Sequence, residues 1–535
     1  ANDSNSPTAA IQYLGFANKL QNRFNVQTYT YELHFGLAKA SYLLKKLDDA
    51  QSFADIALKN ASNLEQRAEV YLLNLKFQEA YSLYKENYLE GVKALKALGA
   101  PLKTSPSVTD IEEEYRRFSA ALPNNVQKII GERFTSTTRN RYVTDVLVNM
   151  CTSAQRNDQN SYSLILLQLG NRLLEFGCDE ATPFVLSHLG SLFCYRFGPN
   201  RMGVQLGSLG LQLLYKGDSD KYYSKTLAVH HSALGPLQFD YASLDQRLEP
   251  EIAYCIDRGD IHGAQHLQYA KIRNQLLRGD NLGDILQFCN GSLESGNIYN
   301  SDVYTAQLQL FKTIALTLKG FDSKAAAKAY AKTMELLAKC HCKSAEATFH
   351  ILMGWAHCLN GKFDKALQYY KLHEPILQYA TSEPQYFRYQ IVLSVCDLMS
   401  MEKPDKNILD RVTSRQERLS EWAEIMPDNF KAEFQTIELL LACKSGKFKN
   451  LVDTVEATLK QTEKGNLIAV RALLTSVLHS ALPKNNFTFL KQALKDEADR
   501  TFAFWGVYRD GQSSVLEIQR STVENNPKKS SFDFQ

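Results

Sequence analysis

A turn that recurs along the chain constrains its fold more than any other feature. LLKKLDDA (Leu43 to Ala50), LLNLKFQEA (Leu72 to Ala80), CLNGKFDKA (Cys358 to Ala366) and ACKSGKFKNL (Ala442 to Leu451) share one plan. Each closes a helix, turns through a small or basic residue, and opens the next helix on a small or apolar position. Apolar residues recur at three- and four-residue spacing between these turns, only 14 prolines interrupt 535 residues, and no period-2 strand run is present. The expectation is an all-α chain of long amphipathic helices joined by short turns.

The spacing around the turns refines this. In tetratricopeptide-like (TPR-like) repeats a small residue on one helix faces another twelve positions on, because the two helices approach too closely for bulk. Gly354 and Ala366 (with Tyr370), Ala68 and Ala80 (with Tyr71 and Tyr84), and Ala38 and Ala50 fit this spacing. Turns at Phe321, Phe363, Asp405, Phe448 and Phe487 predict long helices, since their separations exceed the usual ~34-residue period. A lone hairpin cannot bury its apolar stripe, so the pattern predicts a TPR-like superhelix, a solenoid of stacked antiparallel hairpins with a concave face. Its expected divisions are N-terminal hairpins over 1–100, an irregular helical-hairpin segment over 101–310, C-terminal repeats over 311–520, and a mobile tail or linker over 521–535. Within Gly99 to Asp110, two prolines mark a break, and Thr109 or Asp110 is the expected N-cap of the following helix.

Composition bounds the function. A 535-residue chain with 44% hydrophobic and 22% charged residues has a large surface to bury, and exceeds the ~250–300 residues of one core. Its 61 basic and 58 acidic residues leave a formal charge of +3 with no long run of one sign, which does not suit nucleic-acid binding. Lys528 and Lys529 read as part of a solvated tail. Ten scattered cysteines read as reduced thiols in a cytoplasmic protein. No run of about 18 apolar residues suggests a membrane span, and no signal peptide is visible. A first residue of Ala rather than Met reads as a piece of something longer.

The search for chemistry returns weak candidates. Cys340, His341, Cys342, His350, His357 and Cys358 supply soft donors within one hairpin, but lack the C-x2-C or H-x3-H spacing that zinc requires. His350 and His357 share a helical face with Met353, as packing residues do. The His230–His231 pair reads as a helix end. No G-x-S-x-G elbow, glycine-rich phosphate loop or kinase signature is present, so no catalytic, metal or cofactor residue is assigned. Arg258-Gly259-Asp260 and Arg278-Gly279-Asp280 read as helix stops in which glycine turns left-handed and aspartate caps the next helix. Asn60 and Asn486 would accept glycans only in a secreted chain. Phe77, Tyr81, Tyr84 and Tyr88 recur at helical spacing, as core or groove aromatics do.

Two C-terminal segments carry a resemblance: EWAEIMPDNFKAEFQTIELLLACKSGKF (Glu421 to Phe448) and DEADRTFAFWGVYRDG (Asp496 to Gly511). Trp422, Pro427, Asn429 and Phe430, then Trp505 and Gly506, resemble the end of the helical region in very large signalling proteins. In that family a Ser/Thr-kinase-like domain and an ATPase precede the helical region, and GAF and histidine-kinase domains follow it. Ala68 to Ser107 resembles an earlier repeat of that family, and the terminal SSFDFQ its linker to the GAF domain. Similar regions occur in sugar-responsive transcription activators and soluble adenylyl cyclases. His373-Glu374-Pro375 begins like a phosphoacceptor motif but lacks its continuation, so no catalytic role carries over. The resemblance implies a non-catalytic TPR-like regulatory region of a sensor histidine kinase-type, two-component signal-transduction protein. It would bind a protein or a small-molecule effector on its concave face. A freestanding adaptor for peptide segments and a small-molecule sensor module are the alternatives.

Overall fold

The computed structural model describes residues 6–24, 28–81, 83–130, 137–196, 201–217, 221–294, 301–320, 323–381, 383–483 and 487–507. Every regular element among the described residues is helical. Contacts divide the chain into two units, residues 1–192 with 205–226, and residues 193–204 with 227–535. The turn at Phe321, the segment over 521–535, Lys528, Lys529 and Asn486 lie outside the described residues.

In the first unit, α1 (Pro7–Arg23), α2 (Thr30–Leu43), α3 (Leu47–Asn60), α4 (Leu64–Ala80) and α5 (Tyr84–Ala97) each pack on the next. Ala38 and Ala50, twelve positions apart, are both fully buried, one on each helix of the α2/α3 pair. Tyr42 on α2 stacks on Phe77 of α4 with ring centroids 4.4 Å apart.

Next come α6 (Val108–Ala121), α7 (Thr138–Asn157), α8 (Gln159–Phe176), α9 (Thr182–Arg196), α10 (Arg201–Lys216) and α11 (Tyr223–Val229). The start of α6 corrects the expectation. Its N-cap is Ser107, whose hydroxyl accepts the Asp110 amide while the Asp110 carboxylate accepts the Ser107 amide at 2.7 Å. Asp110 therefore closes a capping box from inside the helix instead of capping it.

The second unit holds α12 (Tyr241–Asp257), α13 (Ile261–Arg278), α14 (Leu282–Glu294), α15 (Asp302–Lys319), α16 (Lys324–Cys340), α17 (Lys343–Leu359) and α18 (Phe363–Leu377). It continues with α19 (Pro384–Met399), α20 (Lys406–Ile425), α21 (Pro427–Lys444), α22 (Leu451–Lys464), α23 (Ile468–Ala481) and α24 (Thr488–Trp505). Asp240, Asp260, Ser301, Ser323 and Asp405 start helices by accepting a backbone N–H three residues on. Arg258-Gly259-Asp260 behaves as read, with Gly259 at φ +71° and Asp260 capping α13. Arg278-Gly279-Asp280 follows it at Gly279, which ends α13 at φ +100°, and departs from it at the aspartate. Asp280 turns back to Arg278, and Asn281 instead accepts the Gly283 amide at 2.7 Å.

An alternation runs through this unit. Helix α16 buries Ala326, Ala329, Thr333, Leu337 and Cys340, a one-sided stripe, whereas α17 buries Ala345, Ala347 to Ala356, Cys358 and Leu359, which covers its whole circumference. Helices α18, α20, α22 and α24 are one-sided like α16; α15, α19, α21 and α23 are buried more fully. The contacts explain why. Helices α13, α15, α17, α19, α21 and α23 form a row in which each packs on the next, while α16, α18, α20 and α24 each pack on the preceding member. The row also closes, since α23 touches α13, α17 and α19. At that closure a Cβ on Gly279 would come 2.4 Å from the Ala469 amide nitrogen, so only glycine allows the end of α13 to meet α23.

Candidate functional site

Because the row closes, the inner faces of its helices cover one another, and charged residues lie buried between them. Arg388 on α19 is 2% exposed and grips Glu433 on α21, its Nε donating to Oε2 at 2.9 Å. The same guanidinium donates to the Leu277 carbonyl at 2.9 Å and lies 5.1 Å over the Trp355 ring of α17. Burial holds the Glu433 carboxyl above the usual carboxylate range, with Arg388 pulling it back down. Trp355 in turn meets Trp505 at 5.6 Å.

Arg273 on α13 is fully buried. It donates to Glu383 at 3.0 Å and to the Ser232 carbonyl at 2.7 Å. Glu383 also accepts from the Tyr269 hydroxyl and from the Gln385 amide, each at 2.8 Å. Ser232 belongs to a π-helical turn, His230–Leu234, a geometry that proteins use sparingly and often at functional places. The His pair thus follows the end of α11, as expected, and both rings are fully buried. Burial, and next the neighbouring His231, hold the His230 imidazole well below its usual range. His231 Nε2 lies 2.8 Å from Glu251 Oε2 on α12. Arg278 donates to Asp245 at 2.9 Å, and burial raises that carboxyl to about 6 against the pull of Arg278.

Asn429 completes the network. Its amide donates to the Pro236 and Phe239 carbonyls at 2.7 and 2.8 Å and its oxygen accepts the Tyr241 amide at 3.1 Å, fastening α21 to the turn that follows the π-helix. Residues singled out near the C-terminus in the sequence have structural tasks. Pro427 opens α21, Asn429 fastens it, and Phe430 packs on Phe387 and Trp422 at 4.6 and 5.4 Å. Trp505 packs on Trp355, and Gly506 ends α24 at φ +85°.

The soft-donor candidates are arranged differently. Cys340 donates to the Leu337 carbonyl at 3.5 Å, and Cys342 lies 3.4 Å from the Ser344 hydroxyl. His341 ends α16 in the left-handed region at φ +49°. His350 joins Tyr369 at 2.8 Å and stacks on His373 at 3.6 Å, while His357 meets Tyr369 at 5.7 Å. Burial, and then His373, push His350 down to about 3. No group of three or more His, Cys, Asp or Glu among the described residues is placed to hold a metal ion. A cleft of about 170 Å³ in the first unit, lined by Ser62, Asn63, Arg67 and Tyr71 among others, is smaller than the ~300–1,000 Å³ of typical ligand pockets. No helix among the described residues is long and apolar enough to cross a membrane.

Sequence reasoning missed the charge network. Its partners are 45 residues apart for Arg388 and Glu433, 110 for Arg273 and Glu383, and 193 for Asn429 and Pro236. No periodicity spans such separations, although three arginine positions inside buried helical stripes were a visible sign. Comparison with protein-family models, with curated proteins and with solved structures gives no match.

Proposed function

We propose that this chain is a non-catalytic, TPR-like regulatory or protein-interaction region, a superhelix of stacked hairpins within a signal-transduction protein of the sensor histidine kinase type. The carrying observation is the alternation of fully and one-sidedly buried helices along α15 to α24, which is how stacked hairpins bury their stripes. The charge network supports a scaffold, because its carboxylates are engaged by arginine, histidine or hydrogen bonds within the same unit. A protein or small-molecule effector would bind on the concave face of this region. The resemblance at Trp422 to Phe430 and at Trp505-Gly506 points to the signalling context.

Reading the encoding transcript beyond both ends tests this assignment. A P-loop ATPase before the segment and GAF or histidine-kinase motifs after it would support it. Start and stop codons abutting the segment would overturn it and leave a freestanding adaptor as the account.

A further inference from the structure

We propose that Asp245, Arg278 and Asp280 form a proton-sensitive clasp, which ties α12 to the end of α13 more firmly in acid than at neutral pH. Arg278 is the last residue of α13 and is 9% exposed. Its Nε donates to Asp280 Oδ1 at 2.6 Å, and its Nη2 donates to the other oxygen of the same carboxylate, which completes a two-pronged pair. Asp245 reaches in from α12 and receives only that same Nη2, at 2.9 Å. Its Oδ1 is buried and meets no hydrogen-bond donor among the described residues. Two carboxylates thus share one guanidinium, and Asp245, with 12% of its side chain exposed against 23% for Asp280, is the more buried and has the lesser share.

The surrounding groups leave that imbalance in place. Lys271 on α13 is the other cation that acts on Asp245, and Glu249 already holds it. Farther along α12, Glu251 faces His231 at 2.8 Å, and at the start of the helix Tyr241 feels Glu433, Arg388 and Arg273. Helix α23 brings Ile468 and Ala469 against Gly279, and neither titrates. Burial therefore raises the Asp245 carboxyl to about 6, Arg278 pulls it down, and Asp280 pushes it up again. An unfolded aspartate titrates near ~4, so between about 4 and 6 the folded chain holds a proton that the unfolded chain has released. Folding gains as the pH falls through that window. At neutral pH the clasp carries one uncompensated negative charge, and in acid it carries none. Because Gly279 stands between Arg278 and Asp280 and abuts α23, that charge lies where the row closes.

Urea titrations of the whole 535-residue chain at about pH 7 and about pH 5, followed by tryptophan fluorescence, test the proposal. Acidification across that range should favour the folded wild type about tenfold relative to Asp245→Asn, a comparison in which His350 and every other shared group cancel. Asp280→Asn is the second variant. Asp280 is partly exposed, so this chain keeps its fold, and Arg278 is left to Asp245 alone. Asp245 should then stay charged, and the tenfold advantage should shrink to less than about threefold. Amide protection along α12, corrected for intrinsic exchange rates, should rise in acid in the wild type and not in Asp245→Asn. A wild type whose pH dependence matches that of Asp245→Asn overturns the proposal. So does an Asp280→Asn chain that keeps the full wild-type dependence, since a shared arginine would then play no part, or a rise in protection confined to other helices.

Discussion

Gly354 sits in the middle of α17, where glycine is ordinarily a weakness. On helix propensity alone, Gly354→Ala would stabilise the chain by about 1 kcal/mol. The structure reverses that sign. A Cβ at this position would lie 2.1 and 2.3 Å from Cε1 and Cζ of Tyr370 on α18. An ordinary contact needs about 3.4 Å, so the ring would have to retreat by more than 1 Å. It has nowhere to go. Tyr370 is 2% exposed, packs edge-on to Tyr389 at 4.8 Å, and donates its hydroxyl to the Ile351 carbonyl at 3.0 Å. Overpacking costs about 1–3 kcal/mol and loss of that hydrogen bond about 1. Set against the propensity gain, the net loss is about 2 kcal/mol. All three tryptophans, Trp355, Trp422 and Trp505, belong to the second unit, so their fluorescence reports the unfolding of that unit. The urea midpoint should fall by roughly 0.5–1 M, and Tyr370→Leu in the alanine background should recover part of the loss. A Gly354→Ala chain as stable as wild type, or more so, would refute the packing argument. Gly91→Ala, in the first unit and read by circular dichroism because no tryptophan lies there, is the comparison: its Cβ would meet the side chain of Met150 at 2.2 Å, a flexible neighbour, so it should cost less.

Other perturbations test the rest of the reasoning. Glu433→Ala leaves the Arg388 guanidinium buried without its partner, and should cost about 3–5 kcal/mol in the tryptophan-detected transition; a loss under 1 kcal/mol would contradict it. Removing both charges with Arg388→Met/Glu433→Leu should be far milder than Glu433→Ala alone. His350 is pushed to about 3 when folded against about 6.5 when unfolded, so the unfolded chain binds the extra proton between those values. Stability should therefore fall as pH drops from 6.5 towards 3, by no more than about 1.4 kcal/mol per unit from this group. His350→Phe should flatten that slope, and an unchanged slope in pH-dependent urea titrations would sink the assignment. Ser107→Ala should cost about 1 kcal/mol through loss of the capping box, and Thr109→Ala almost nothing; the reverse order would restore Thr109 as the cap.

Local features were the legible ones. Gly354 packs on Tyr370, and Ala38 and Ala50 are buried on the paired helices α2 and α3, as their sixteen- and twelve-residue spacings foretell. Ala68 and Ala80, however, lie together on α4, which runs unbroken through the turn read at Leu72 to Ala80. The N-cap of α6 was misread because Ser107, Thr109 and Asp110 are all good capping types. The choice among them depends on which carboxylate reaches back to an amide, and that is a property of the three-dimensional turn. Asp280 was misread for a related reason: Arg278, already engaged with Asp245, draws it away from the helix it was expected to cap. The π-turn at His230–Leu234 has no marker in the sequence, and the groups that meet it, Arg273 and Glu251, arrive from other helices.

The same comparison suggests why charges are buried where an apolar core would hold the helices more cheaply. A row of packed amphipathic helices has many nearly equivalent ways to close, because leucine and alanine stripes fit one another in several registers. A wrong register would strand Arg388 or Arg273 in the interior without a carboxylate, at a cost of several kcal/mol, whereas it would hardly disturb the apolar contacts. Each fastening also joins helices distant in sequence: Arg388 links α13, α19 and α21, Arg273 links α13 to Glu383 and the π-turn, and Asn429 links α21 to the start of α12. On this hypothesis the apolar stripes drive association of the row, and the buried ions and amides select the single closure in which α23 meets α13. The Arg388→Met/Glu433→Leu chain tests the division. It should keep its stability and lose its uniqueness, with amide exchange at the ends of α13 and α23 becoming heterogeneous; uniform, wild-type exchange there would show that packing alone chooses the closure.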